Sequence, residues 1–379
     1  MGDLGIIPDG AVLIHNGTVR ETGPSRRVEN LAVARTARVI DAGGRIVMPA
    51  FVDPDAVLVH PPPLFRPGPN SRCSMPAEAS LRAVSTRVLC GRAALVAADI
   101  ARYGILSVGA HTGHALDLRA ALKILRVHRS LQMKPLRVRS LLALRIPPES
   151  GRTREELLRQ IIDKWLPAVR TRKLASIVEF GLDEDSSVLG FEGSLAAARA
   201  ASSLGFSVRF RAGQAVDRRA LELARDAGAL ALVGAGSHRE DAAASACIQV
   251  FPIGVPDPAM DASTIRRMLD AGYPVAIGSG YRPTGYASLN PQFLLHSATA
   301  RFAMTSEEAI TAATWNAACS LRMSHVAGSI EPEKPADLLV LDVPDYLELP
   351  RRTGQNDVLT CVRAGTVVYR RAAVAGEAR

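Results

Sequence analysis

Short apolar runs mark both ends of this chain, and a regular alternation of apolar runs with amphipathic stretches fills the space between. Residues 11–15 read as a strand, Asn16-Gly17 as a two-residue hairpin turn, and Thr18-Val19-Arg20 as the returning strand. Residues 38–41 and 45–48 read as two further strands in the same style. Near the other end, residues 337–342 form a nearly all-apolar strand, and residues 358–362, Arg363-Ala364-Gly365 and residues 366–369 make a second hairpin. Two β-rich ends around a long middle predict one small β-sandwich assembled from both termini, over residues 1–48 and 329–379.

The middle, residues 49–328, pairs each apolar run with a helix-period segment. Residues 104–109 precede a helix over 116–131, residues 141–144 one over 154–169, residues 176–180 one over 194–204, and residues 206–210 one over 218–227. Further runs follow at 230–233, 247–251 and 274–278. This rhythm predicts a parallel sheet, and its eight-fold count a closed (β/α)8 barrel. Pro61-Pro62-Pro63 and Pro67-Gly68-Pro69 mark a stiff loop after the first barrel strand, on the side where ligand-facing loops of such barrels begin.

Composition narrows the picture only modestly. The 379 residues are 47% apolar and 22% charged, ordinary values for a globular protein. No run of about 18 uncharged apolar residues occurs, and the Met1-Gly2-Asp3-Leu4 start has no secretory pattern, so a cytoplasmic, membrane-free protein is expected. Five cysteines without a Cys-x-x-Cys spacing fit reduced thiols. The formal charge of +9 raises nucleic-acid binding, but the arginines are spread along the chain and aromatics are only 4%, which argues for a solvated basic surface instead.

The strongest motif is Gly43-Gly44-Arg45-Ile46-Val47-Met48-Pro49-Ala50-Phe51-Val52-Asp53-Pro54-Asp55-Ala56-Val57-Leu58. Gly113-His114-Ala115-Leu116-Asp117-Leu118, Ile146-Pro147-Pro148-Glu149, Thr314-Trp315-Asn316-Ala317-Ala318, Gly328-Ser329-Ile330-Glu331, Lys334-Pro335-Ala336-Asp337-Leu338 and Asp342-Val343-Pro344-Asp345-Tyr346 follow in order. Together they resemble the imidazolonepropionases and their close amidohydrolase relatives over nearly the whole chain. The opening at Ile7-Pro8-Asp9-Gly10 resembles that family's terminal sandwich, with its usual first strand absent. The resemblance implies a (β/α)8 amidohydrolase barrel with a β-sandwich from both termini, a tendency to dimerise, and a catalytic metal ion that activates water against a cyclic C–N bond.

The same resemblance locates that metal, and its positions are altered here. Two histidines of the first barrel strand, on one face because residues i and i+2 point alike, correspond to Asp55 and Val57. The histidine after the fifth strand corresponds to Arg211, and the aspartate of the last strand to Gly280. Further histidine positions fall at Leu144 and near Gly234. Valine and glycine side chains donate nothing to a metal, and a guanidinium repels one. The expectation is therefore no metal or other cofactor and no catalytic residue. Asp55 and Arg211 are expected to face each other as an ion pair standing in for the lost charge; independent drift of the two positions is the plainer alternative.

Other chemistry is thin. His111 and His114 form the only close histidine pair, and with His60 and His238 could rebuild a metal site, although two ordinary rim histidines explain them as well. Gly278-Ser279-Gly280 falls short of a nucleophile elbow, Gly234-Ala235-Gly236-Ser237-His238 lacks the Lys-Ser/Thr of a phosphate loop, and Cys73 has no activating base nearby. A binding pocket at the old active-site mouth is expected from Asp55, His60, His111, His114, Arg211, Gln214 and Tyr281. The favoured function is a non-catalytic partner subunit, of an active paralogue or in a homodimer, or a module for small anions, because guanidinium binds carboxylate bidentately. The rival is a divergent amidohydrolase that hydrolyses a cyclic amide with a rebuilt site.

Overall fold

The computed structural model describes residues 2–60, 81, 83–113, 117–132, 135–146, 151–182, 187–212, 218–234, 247–254, 260–282 and 288–372. His114, Gln214, His238, Cys73 and the proline-rich loop lie outside these residues. Eight parallel strands pair in sequence order: β4 (Phe51–Ala56), β5 (Ile105–His111), β6 (Arg137–Leu144), β7 (Ile177–Gly181), β8 (Ser207–Arg211), β9 (Ala231–Val233), β10 (Ile248–Pro252) and β11 (Val275–Gly278). Helices such as Thr86–Arg102, Leu118–Leu131 and Gly190–Ser203 cover the outside and make the (β/α)8 architecture. The strands are mostly apolar because both faces are buried, one under helices and one inside the barrel.

The seam between β11 and β4 closes by other means than a regular ladder. Val57 N donates to Tyr281 O at 2.9 Å, in a bridge pairing Ala56 with Tyr281. Below it, the Asp53 carboxylate accepts from Ser279 N at 3.0 Å and from the Ser279 hydroxyl. Pro54 has no N–H to give, so the β4–β5 register shifts there, between Asp53 and Ala56. Its carbonyl turns inward and becomes available to the barrel interior.

Both ends of the chain meet in β structure beside the barrel. Strand β3 (Ile46–Pro49) pairs with β12 (Leu338–Leu341), which pairs with β13 (Val358–Arg363) and through it β14 (Thr366–Arg370). The hairpin of β1 (Gly10–His15) and β2 (Thr18–Pro24) docks on this sheet through Val19 N to Lys334 O and Ala336 N to Gly17 O, at 2.8 and 2.9 Å. Val19, Ala336, Leu338 and Val362 form the apolar contact. The turn at Asn16-Gly17 has positive φ at both residues (51° and 79°), the type I′ geometry that matches strand twist.

Two sequence expectations differ from the structure. Residues 38–41 form no strand: among the described residues β3 is the last strand of its sheet and nothing pairs beyond it, and Val39 is 80% exposed. The helix read over residues 154–169 exists but contains a π-turn, Ile161–Trp165, between Arg154–Gln160 and Leu166–Thr171. The wider turn lets Ile161, Trp165, Leu166 and Val169 all face the core.

Candidate functional site

The carboxyl ends of the barrel strands carry seven ionisable side chains that converge. Asp55 comes from β4, His111 ends β5, Arg145 follows β6, Glu179 lies in β7, Arg209 and Arg211 in β8, and Arg282 follows β11. Arg209 and Arg211 point inward together because they are two residues apart on one strand. Glu179 is the register neighbour of Arg209 on the adjacent strand.

Hydrogen bonds knit four of these groups into a unit. Arg209 donates from Nε to Glu179 Oε2 at 2.6 Å, from Nη1 to Pro54 O at 2.8 Å, and from Nη2 to Asp55 Oδ1 at 3.1 Å. Arg211 donates from Nε to Glu179 Oε1 at 2.9 Å and from Nη2 to Glu179 Oε2 at 3.3 Å and to Asp55 Oδ1. The Asp55–Arg211 pair expected from the sequence is therefore present. The side chains of Asp55, Glu179, Arg209 and His111 are fully buried, whereas Arg211, Arg145 and Arg282 are 10%, 13% and 23% exposed. The cup thus has a sealed floor and an arginine rim.

Burial alone would push both carboxyls up, but neighbouring guanidiniums outweigh it. Arg211, Arg282 and Arg209 hold Asp55 well below the usual carboxylate range, and Arg211, Arg209 and Arg145 do the same to Glu179. Burial would lower Arg211, but Asp55 and Glu179 raise it above an ordinary arginine. Burial and the nearby Arg211 charge outweigh Glu179 and Asp55 at Arg145 and bring it down to about 9. Burial and then Arg282 hold the His111 imidazole well below its ordinary value, so it is neutral at pH 7. Beneath the cup, burial pushes Asp53 up to about 6 despite its hydrogen bonds from Ser279 and Asp55 N.

The remaining positions singled out in the sequence behave differently. Val57 is 5% exposed and apolar, and Gly280 has a φ of 62° that turns the chain between Ser279 and Tyr281. Tyr281 contributes its backbone to the seam, where its N–H donates to Ser279 Oγ at 2.9 Å. His60 is half-buried, four residues beyond the end of β4. Sequence reasoning missed Glu179, Arg209, Arg145 and Arg282. A charged residue inside an apolar barrel strand, as Glu179 and Arg209 are, was the available signal, since such a residue must find a partner in the barrel interior.

A family profile described as "Amidohydrolase family" matches residues 257–368. Imidazolonepropionase from Porphyromonas gingivalis is 30% identical, over 95% of this chain and 89% of its own length. The chain is an imidazolonepropionase-like member of the amidohydrolase superfamily. Imidazolonepropionase from Geobacillus kaustophilus is similar at 29% identity, over 97% of this chain and 92% of that one. Among solved structures, 5-methylcytosine deaminase from Klebsiella pneumoniae with phosphonocytosine superposes with a TM-score of 0.69 at 20% identity, covering 96% and 95% of the two chains. E. coli guanine deaminase does so at 0.67 and 16%, covering 96% and 93%. At these identities the structural likenesses establish the amidohydrolase fold and nothing finer. Among the described residues, no helix of this superfamily member is long and apolar enough to cross a membrane.

Proposed function

We propose that this amidohydrolase-fold chain does not hydrolyse a cyclic amide and that its barrel mouth binds a small anion. The observation that carries the reading is the charge at the cup. Among the described residues, four guanidiniums (Arg145, Arg209, Arg211, Arg282) face two carboxylates (Asp55, Glu179) and a neutral histidine, which leaves an excess of two positive charges. Ionised Asp53 below reduces that excess without meeting the rim.

The residues at the family's metal positions do not fit a divalent cation. Val57 and Gly280 have no side-chain donor atoms, and with Asp55 Oδ1 engaged by Arg209 and Arg211 only its Oδ2 is left to ligate. Among the described residues, no three His, Cys, Asp or Glu side chains are grouped to hold a metal. A metal would have to enter a site whose permanent charges already have its sign.

The rival reading, a divergent hydrolase, draws on identity to imidazolonepropionases across nearly the whole chain. Metal content of the untagged protein by mass spectrometry, with an imidazolone-ring hydrolysis assay on the same sample, separates the two. Less than about a tenth of a metal per chain with no turnover supports the anion-binding reading. A near-stoichiometric transition metal with turnover overturns it.

A further inference from the structure

Resting on that anion-binding reading, the hydrogen bonds divide the four arginines of the cup into two kinds. Arg209 and Arg211 are matched to carboxylate or carbonyl oxygens through most of their N–H groups. Arg145 and Arg282 are not. The Nε and Nη2 of Arg145 are buried without a hydrogen-bond partner among the described residues, and Nε stops 3.7 Å from Glu179 Oε1. Arg282 Nη2 stops 3.7 Å from Asp55 Oδ2, an oxygen itself buried without a partner. The carbonyls of Gly280 and Tyr281 lie 3.4 Å from Arg282 Nη1, at the outer limit of a useful bond.

His111 sharpens the mismatch. A neutral imidazole has one acceptor nitrogen. Here both nitrogens face donors: Gly113 N is 3.1 Å from Nδ1, and Arg282 Nη1 is 3.0 Å from Nε2. A proton on Nδ1 meets the Gly113 N–H, and a proton on Nε2 meets Arg282 Nη1, with Asp55 Oδ1 3.5 Å from that nitrogen. An oxyanion seated beside the 3.0 Å pair of His111 Nε2 and Arg282 Nη1 accepts from both on one side and relieves the contact at Nε2. Around the barrel, β11, β4, β5 and β6 are consecutive, so His111 lies on the arc between Arg282 and Arg145.

We propose that Arg145 and Arg282 are the receptors for a small oxyanion carrying two negative charges, seated beside His111, while Arg209 and Arg211 serve the barrel itself. Two under-bonded guanidiniums, each able to take a carboxylate or phosphate edge in two parallel bonds, match two negative charges better than one. The lowered pKa of both groups, set first by burial, agrees with cations that lack sufficient counter-charge in the ligand-free cup.

Isothermal titration at pH 8 and fixed ionic strength tests this with succinate, inorganic phosphate and acetate, on the wild type, Arg145→Gln, Arg282→Gln and Arg145→Lys. Succinate or phosphate is expected to bind at least about tenfold more tightly than acetate. Each glutamine variant is expected to bring that dianion to the acetate level, and Arg145→Lys to keep most of the preference. The ligand-free melting temperature of Arg145→Gln should equal or exceed that of the wild type, because the change removes a buried cation whose only carboxylate contact among the described residues is the 3.7 Å approach to Glu179. Preference for succinate places the two charges on separate groups; preference for phosphate places them on one centre. Equal binding of all three anions, or a dianion preference untouched by both glutamine variants, overturns this inference alone. Failure to bind any of them overturns the anion-binding reading with it.

Discussion

Arg211 and Asp55 lie on strands β8 and β4, diametrically opposite in an eight-stranded barrel, and meet in an ion pair across its mouth. Arg209 repeats the crossing one layer deeper, and Glu179 binds both arginines from the neighbouring strand. The barrel therefore carries a salt-bridged plug at the depth where the resemblance places the family's metal.

The plug makes Asp55→Ala a severe substitution. It leaves two buried guanidiniums sharing Glu179, and breaking a buried pair by removing one partner costs roughly 3–5 kcal/mol. Replacing both members, as Asp55→Leu with Arg211→Met, is expected to destabilise by less than the two single losses combined, with a coupling of about 0.5–3 kcal/mol. Urea unfolding of the four proteins measures this; strictly additive losses would show that the pair carries no mutual interaction.

Gly109, in the middle of β5, is expected to tolerate no side chain. A Cβ there would sit 2.6 Å from both Leu321 Cδ2 and the Pro54 carbonyl oxygen. That carbonyl is the acceptor for Arg209 Nη1, so Gly109→Ala strains the packing and disturbs the plug together. Overpacking of this kind costs about 1–3 kcal/mol. A melting temperature unchanged from the wild type would contradict the tight approach of β4 to β5.

Much of this arrangement was legible in the chain. The apolar runs located seven of the eight barrel strands and the motif at residues 43–58 located β4, while the turn residues at Asn16-Gly17 and Ala364-Gly365 located both hairpins. Opposite charges at Asp55 and Arg211 announced their pairing once the resemblance set them opposite each other. Arg145 and Arg282 were illegible for a physical reason: they stand just past strand ends, where an arginine in sequence looks like any solvated loop residue. Their inward aim depends on barrel curvature, which no local pattern encodes. The strand expected at residues 38–41 failed because a strand needs a neighbour, and local propensity does not supply one.

His128 should make the fold acid-sensitive. It is fully buried in the helix Leu118–Leu131, neither ring nitrogen has a partner among the described residues, and burial lowers its pKa to about 3 from an ordinary 6.5. The folded protein thus keeps the ring neutral while the unfolded chain takes up a proton below 6.5. Its contribution is fully present above pH 6.5 and is lost as pH falls towards 3, at up to about 1.4 kcal/mol per pH unit. Denaturant unfolding of His128→Leu across that range should show the dependence removed. An unchanged pH profile would show that the ring is solvated or paired in solution.

Asp53 works in the opposite direction, and the two effects overlap. Burial raises its pKa to about 6 from 3.8, so between those values the folded state holds a proton that the unfolded state has released. The stabilising contribution is present below pH 3.8 and is lost as pH rises through 6. In the window from about pH 4 to 6, Asp53 therefore favours the acid side while His128 favours the neutral side, and the wild type should be flatter than either variant. Asp53→Asn should expose the His128 slope, with stability falling as the solution is acidified; His128→Leu should expose the Asp53 slope, with stability falling as the pH is raised. Ser279→Ala removes the hydroxyl that donates to Asp53, so it should raise the Asp53 pKa further and move its slope to higher pH. Because Asp53 and Ser279 also close the seam between β4 and β11, that variant should lose about 1.5–3 kcal/mol at pH 7, the worth of one hydrogen bond to a charged group. Parallel pH profiles for all four proteins would contradict the assignment of these slopes to Asp53 and His128.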